Sequence, residues 1–324
     1  MKTIPSTFRT LFADLEQKAR NAPLAGSVYE RDRDGVLYAY AKIPVGSTRV
    51  DTFIGKSDDP LTAQQTEELR RGMETRRENR KIVSLLKSAG FANFDPAMGA
   101  ILDSIAHARL FREGAVLVGT AAYTASEAHV GSFLPEPTIM TGDLDLATAN
   151  LAISAEPPEP MIAILRRADP TFEPVMQIDP RKPPSRFRNR QGYFVDIVTP
   201  TRRNTDTNPI PLKELDAGAA PLQQLDWLIE NPVPTVALWD HGIPINIPQP
   251  ARLAVHKLIL AQNRGPTDRV KRQKDLSQAD ALMTALYSTD PFGMEEALND
   301  ARQRGKRGWA EKIDRSLAEL SKRA

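Results

Sequence analysis

The chain has 324 residues, of which 41% are hydrophobic and 26% charged, an ordinary balance for a protein that buries a real core in one or two domains. Cys is absent, which excludes a disulfide framework, a thiol nucleophile and a cysteine-based zinc site, and favours a reducing compartment. The net charge of +2 provides no overall attraction for nucleic acid, so such a partner would have to be met by local clusters.

The first residues carry Lys2, Arg9 and Asp14 with few apolar positions, unlike a signal peptide. No stretch approaches the roughly 20 apolar residues of a membrane helix, so a cytoplasmic protein without membrane contact is expected. Ser27–Arg31, Val36–Ile43 and Val50–Ile54 read as strands. They are joined by an Asp34-Gly35 hairpin and a turn at Val45-Gly46-Ser47. So small a sheet needs cover. Leu61–Ala89 supplies it as a helix with Leu69, Met73, Ile82, Leu85 and Leu86 at helical spacing. The helix also carries Arg70, Arg71, Arg76, Arg77, Arg80 and Lys81 among Glu67, Glu68, Glu74 and Glu78, which reads as a solvated lattice of ion pairs or, alternatively, a partner face. Residues 1–94 form an accessory module in this reading.

Residues 95–249 mix helices and strands, which indicates an α+β or α/β sheet domain. Pro96–Arg112 reads as a helix, Ala115–Val118 as a short buried strand and Gly119–Tyr123 as a helix opening. Ile139–Leu146 reads as a strand, Pro160–Arg167 as a helix, and Phe172–Ile178 and Tyr193–Val198 as strands. Pro221–Glu230 is expected helical, Thr235–Leu238 and Ile243–Ile247 extended. The chain has 26 Pro, many of them between residues 135 and 250, which disfavours long helices there. Residues 250–324 form a helical region, with helices at Ala251–Asn263, Lys274–Ser288, Met294–Gly305 and Trp309–Lys322.

Three pieces carry chemistry. In Asp143-Leu144-Asp145-Leu146, strand alternation sends both Asp to one face and both Leu to the core. Carboxylates two apart can bracket a hard cation such as Mg²⁺, although a solvated turn gives the same pattern. Asp196 interrupts the apolar run Phe194–Val198, which is costly unless the group is paired, metal-bound or turned to water from an edge strand. Beside the Asp pair it would complete a cluster that only cations make tolerable. Val118-Gly119-Thr120 lies at a strand-to-helix junction, where Gly lets backbone approach a phosphate and Thr120 adds a hydroxyl donor. An ordinary capped turn is the alternative.

In this order the pieces resemble the DNA polymerase β-like nucleotidyltransferase superfamily. Thr141-Gly142-Asp143-Leu144-Asp145 is similar to the form found in AbiEii-like and MenT-like nucleotidyltransferase toxins and their bacterial relatives of unassigned substrate. Lys257-Leu258, Arg264 and Lys274-Asp275 resemble the series in the helices that follow their catalytic domain. Thr120 stands where the pattern has Gly or Ser, and the interval from Gly119 to Asp143 is longer than in minimal members. The resemblance spans roughly residues 95–285.

It implies an α+β fold with a nucleotidyltransferase-type mixed sheet and flanking helices. It further implies two Mg²⁺ ions, or Mn²⁺, on Asp143, Asp145 and Asp196 as metal-binding and catalytic residues. Gly119, Thr120, Lys257, Arg264 and Lys274 would bind a nucleoside triphosphate. The acceptor hydroxyl could belong to RNA, tRNA or protein, and an antitoxin-like partner is implied by the toxin branch. The alternative is a catalytically silent protein that binds a nucleotide or a partner. His256 reads as packed or surface, and His129 and His241 lack metal-ligand spacing. Two basic tracts could grip RNA or simply be solvated: Arg181, Lys182, Arg186, Arg188 and Arg190, and Arg302, Arg304, Lys306, Arg307, Lys312 and Arg315. The aromatic runs at Tyr29–Arg31 and Leu37–Tyr40 would either pack or serve a DNA-binding arm.

Overall fold

Apolar residues spaced along one stripe make the first element, α1 (Ser6–Asn21), which buries Phe12, Leu15 and Ala19. Phe8, Leu11, Phe12, Leu15 and Ala19 recur at helical spacing, so the element is legible in the residues although no helix was expected there. The computed structural model describes residues 1–136, 142–148, 159–177, 179, 181–201 and 208–322. Strands β1 (Ser27–Arg33), β2 (Val36–Val45) and β3 (Thr48–Lys56) form an antiparallel sheet in the expected order. Asp34 and Gly35 both take positive φ, 55° and 80°, as a two-residue hairpin with right-handed strand twist requires.

Asp59 caps α2 (Pro60–Ser88), accepting from the Leu61 N–H. Leu69 packs against Ala41, Ile43 and Val45, so the helix covers one face of the sheet as expected. Leu85 departs from the expected packing face and is exposed, because Ile82, Val83 and Leu86 set the buried arc. Arg76 departs from the solvated lattice. It is buried, and with Arg80 it pairs with Asp240, at 2.8 and 2.7 Å. His241 Nδ1 lies 3.1 Å from the same carboxylate.

The central elements follow in order: α3 (Pro96–His107), β4 (Val116–Val118), α4 (Gly119–Thr124), α5 (Glu127–Val130), β5 (Asp143–Ala147), α6 (Met161–Ala168), β6 (Glu173–Pro174), β7 (Arg186–Arg188), β8 (Phe194–Pro200), β9 (Ile210–Leu212), β10 (Ala217–Leu222) and α7 (Leu225–Leu228). α3 ends at His107 rather than Arg112, with Arg109 in a left-handed turn at φ 66°. Ile139–Thr141 and Ile178, assigned to strands from sequence, lie outside the described residues. The run from Phe172 yields only the short β6. Pro221–Glu230 is not one helix. Pro221 and Leu222 close β10, a strand of small residues that exists by pairing in parallel with β8, and only Leu225–Leu228 is helical. Tertiary pairing outweighs its weak local strand preference.

Among the described residues the main sheet runs β4-β5-β8-β10-β9, with β7 also paired to β8 and β6 to β7. A hairpin of β11 (Val233–Ala237) and β12 (Ile243–Ile247) leads to α8 (Pro250–Asn263), α9 (Arg269–Thr289), α10 (Pro291–Gln303) and α11 (Glu311–Ser321). One buried core extends from Phe94 to Ile313, so sheet and C-terminal helices share it. A second joins α1 and α2 to Val236 and Leu238 of the hairpin side. The result is the expected α+β architecture with flanking helices, an N-terminal hairpin-and-helix part and a helical C-terminus.

The Asp240 clamp links α2 to that hairpin. Burial alone would raise the Asp240 carboxyl, but hydrogen bonds from His241, Arg80 and Arg76 overcome this and hold it well below the usual carboxylate range. A depressed carboxyl adds stability that is fully present above its unfolded value and lost as pH falls through its folded one. Asp240→Asn should therefore cost about 2 kcal/mol near neutral pH, a buried-pair loss discounted for partial exposure. In urea unfolding, the gap to wild type should be constant above roughly pH 5 and narrow below about pH 4.

Candidate active site: carboxylates on adjoining strands

Parallel pairing of β5 with β8 sets Asp143 against Phe194 and Asp145 against Asp196. Strand alternation then puts all three carboxylates on one face, while Leu144, Leu146, Val195 and Ile197 are buried on the other. The three Asp are half-buried. On the far side of β5, β4 runs antiparallel with Val118 against Asp145. The chain leaves β4 through Gly119, whose φ is +72°. A Cβ there would stand 2.4 Å from Asp145 Oδ2, so the turn needs glycine both for its backbone and for the carboxylate beside it. Thr120 follows in the first turn of α4, half-buried, its carbonyl accepting from Thr124 Oγ1. Thr141 of the same motif lies outside the described residues.

Burial, and then the Asp196 and Asp143 charges, push the Asp145 carboxyl up to about 6. Asp196 is raised too, by burial first, with Arg186 opposing. Arg186 belongs to the first basic tract, expected either to grip RNA or to be solvated. It lies instead on β7, in register with Asp196. Its Nη2 is 3.3 Å from Asp143 Oδ1, its Nε 3.4 Å from Asp196 Oδ1, and its guanidinium stacks 4.2 Å from the Phe194 ring centre. The alternation Arg186-Phe187-Arg188, with Phe187 buried, is the strand signal that could have revealed it.

A second charged layer comes from the helices. Lys257 on α8 and Lys274 and Asp275 on α9 are buried. Arg264 lies past the end of α8 rather than on its face, and its Nε reaches Asp275 Oδ2 at 3.0 Å. Lys257 Nζ is 3.9 Å from Asp275 Oδ1. Burial lowers the Lys257 amine to about 8, with Asp275 and Asp145 opposing, and lowers Lys274 as well. Asp275 was quoted in the sequence only as part of a series; it is the shared counter-ion. His256 is packed and buried, its pKa down to about 3 through desolvation and its cationic neighbours.

The basic tracts are more paired than their sequence suggests. Arg181 meets Asp179, and Arg188 meets Glu173. Arg302 pairs with Asp314, Arg304 with Asp300, and Arg315 with Glu311.

For a metal, the donor chemistry suits a hard divalent cation: three carboxylates on one face carry more negative charge than Arg186 neutralises. Among the described residues, no three His, Cys, Asp or Glu side chains form a group ready to hold a metal ion, and Arg186 lies against two of these carboxylates.

A mixed α+β sheet with such a carboxylate face and a glycine turn against it is consistent with a nucleotidyltransferase fold. Residues 97–303 match a family model described as Nucleotidyltransferase, and the chain belongs to that family. No curated protein and no solved structure matches it. Membership supports nucleotidyl transfer as the general activity, with a nucleoside triphosphate as substrate. Among the described residues no helix is long and apolar enough to cross a membrane.

Two outcomes follow from this geometry. Gly119→Ala should lower unfolding stability by about 1–2 kcal/mol from the left-handed backbone, and more if Asp145 cannot move. Asp275→Asn should cost about 3 kcal/mol by stranding Lys257, and adding Lys257→Met should recover part of that loss. Urea denaturation of the single and double variants measures both; additive losses would contradict the pairing.

Proposed function

We propose that the chain transfers a nucleoside monophosphate from a nucleoside triphosphate to an acceptor hydroxyl, with Mg²⁺ held by Asp143, Asp145 and Asp196. The observation that carries this reading is the register that sets Asp145 beside Asp196, with Asp143 on the same face and Gly119 packed against Asp145. When bound, Mg²⁺ supplies charge neutralisation and Lewis acidity toward the phosphoryl oxygens. Asp196 orients the acceptor hydroxyl and takes up its proton. The acceptor oxygen bonds to the α-phosphorus, the α–β phosphoanhydride bond breaks, and pyrophosphate leaves with its electron pair. Lys257, Lys274 and Arg264 set a positive field for the triphosphate, and Gly119 and Thr120 offer close backbone and a hydroxyl to it.

Within the family we assign the chain to the branch resembling AbiEii-like and MenT-like enzymes, on its Gly142-Asp143-Leu144-Asp145 strand and its Lys257, Arg264 and Lys274-Asp275 series. The acceptor classes consistent with that branch are RNA, tRNA and protein, and an antitoxin-like protein is the matching partner. We also propose that residues 1–94, 95–249 and 250–324 act as accessory, catalytic and helical parts. A second reading has one specific observation in its favour. Arg186 bridges Asp143 and Asp196 where a cation would act, as in a silent protein that binds nucleotide without turnover.

The test combines α-labelled nucleoside triphosphates, Mg²⁺ and bulk tRNA or cell protein. Wild type should transfer label, and chelation should stop it. Asp143→Asn and Asp145→Asn should each lose more than roughly 100-fold, beyond the range for outer-shell metal partners. Unchanged transfer in both variants would refute the assignment; Mg²⁺-nucleotide binding without transfer to any acceptor would favour the silent reading.

A further inference from the structure

The outer face of the N-terminal sheet carries an ordered set of rings and cations. Register places Tyr29 opposite Tyr40, Tyr40 opposite Phe53, Arg31 opposite Tyr38, Lys42 opposite Asp51 and Lys56 opposite Tyr38. Directly paired residues share a face. All five cations of the three strands, Arg31, Arg33, Lys42, Arg49 and Lys56, therefore stand on the aromatic face, and all are exposed. Of the strands' acids only Asp51 joins them, accepting from the Tyr29 hydroxyl at 3.0 Å. Glu30 and Asp32 point to the opposite face, where α2 covers Ala41, Ile43 and Val45.

The rings make a continuous layer. Tyr29 and Tyr40 stack at 5.7 Å, Tyr40 and Phe53 meet edge-on at 5.4 Å, and Tyr38 and Phe53 lie 5.9 Å apart. Arg31 lies 5.0 Å from the Tyr40 ring centre and Lys42 5.4 Å from that of Tyr29. Phe53 remains 57% exposed. Unlike many cations of the two basic tracts, none of these five makes an ion pair among the described residues.

We propose that this face binds single-stranded nucleic acid. Unpaired cations held over rings meet successive phosphates, and the exposed Phe53 with the half-exposed Tyr38 beside it gives bases a stacking surface, on a floor made by the buried Tyr40. A protein partner would call for an apolar centre with few charges, which the five unpaired cations deny. The sheet fits RNA or DNA through the same chemistry. The inference is independent of nucleotidyl transfer, because binding is read without metal or triphosphate.

The test is fluorescence anisotropy of the full chain with 20-nucleotide oligo-U, oligo-dT and a duplex of equal length, from 50 to 200 mM salt. Binding of either single strand is expected, and the tighter of the two names the natural source. Affinity should fall with salt, and Arg31→Gln with Lys42→Gln should flatten the log–log slope by about 0.7 per cation removed. Phe53→Leu, which keeps apolar bulk on an exposed site, should weaken binding roughly tenfold with unchanged melting temperature. Arg70→Gln with Arg71→Gln, on α2, should leave binding unaltered. No binding at 50 mM salt, a preference for duplex, or binding indifferent to Phe53→Leu would each overturn the proposal.

Discussion

The parallel register between β5 and β8 is the constraint from which the rest of the site follows. Once Leu144 and Leu146 must enter the core alongside Val195 and Ile197, the intervening carboxylates have nowhere to go but the same opposite face. A one-residue slip of β5 would turn Asp143 and Asp145 into apolar packing, and a slip of β8 would turn in Asp196, either at a cost comparable with the usual margin of stability. Burial of the leucines thus enforces the crowding of the aspartates. Burial first, and neighbouring carboxylates after it, raise the Asp145 and Asp196 carboxyls.

Relief of that crowding comes from three directions. Arg186 approaches from β7 across β8, and the charges of Lys257 on α8 and Lys274 on α9 act on Asp145, with Lys257 sharing Asp275 with Arg264. Because the C-terminal helices belong to the same buried core as the sheet, these lysines are held by packing rather than by flexible reach. The Asp240 clamp does the corresponding work for the N-terminal part, tying α2 to the turn between β11 and β12.

Much of this was legible from residues alone. Alternating apolar runs marked β1 to β3, β8 and the β11–β12 hairpin, and turn chemistry fixed Asp34-Gly35 and Gly46. Gly119, Asp143, Asp145 and Asp196 were readable as an ordered set, and the fold brings the three carboxylates to one face of adjoining strands with Gly119 against Asp145. α1 was missed although Phe8, Leu11, Phe12, Leu15 and Ala19 carry its signal locally, whereas the other failures depend on partners distant in sequence. β10 has the composition Ala-Gly-Ala-Ala-Pro-Leu and becomes a strand only because β8 pairs with it. Arg186 and Arg76 looked like surface charges until Asp143, Asp196 and Asp240 came within reach. Asp275 had no meaning without the fold that brings it to Lys257 and Arg264.

Titration of the aspartate carboxyls by carbon NMR in metal-free protein, repeated with saturating Mg²⁺, tests the central claim most directly. Asp145 should titrate near 6 without metal, as burial beside Asp196 and Asp143 dictates, and should drop sharply when Mg²⁺ is added. An Asp145 that titrates like an ordinary exposed carboxyl and ignores Mg²⁺ would contradict the account.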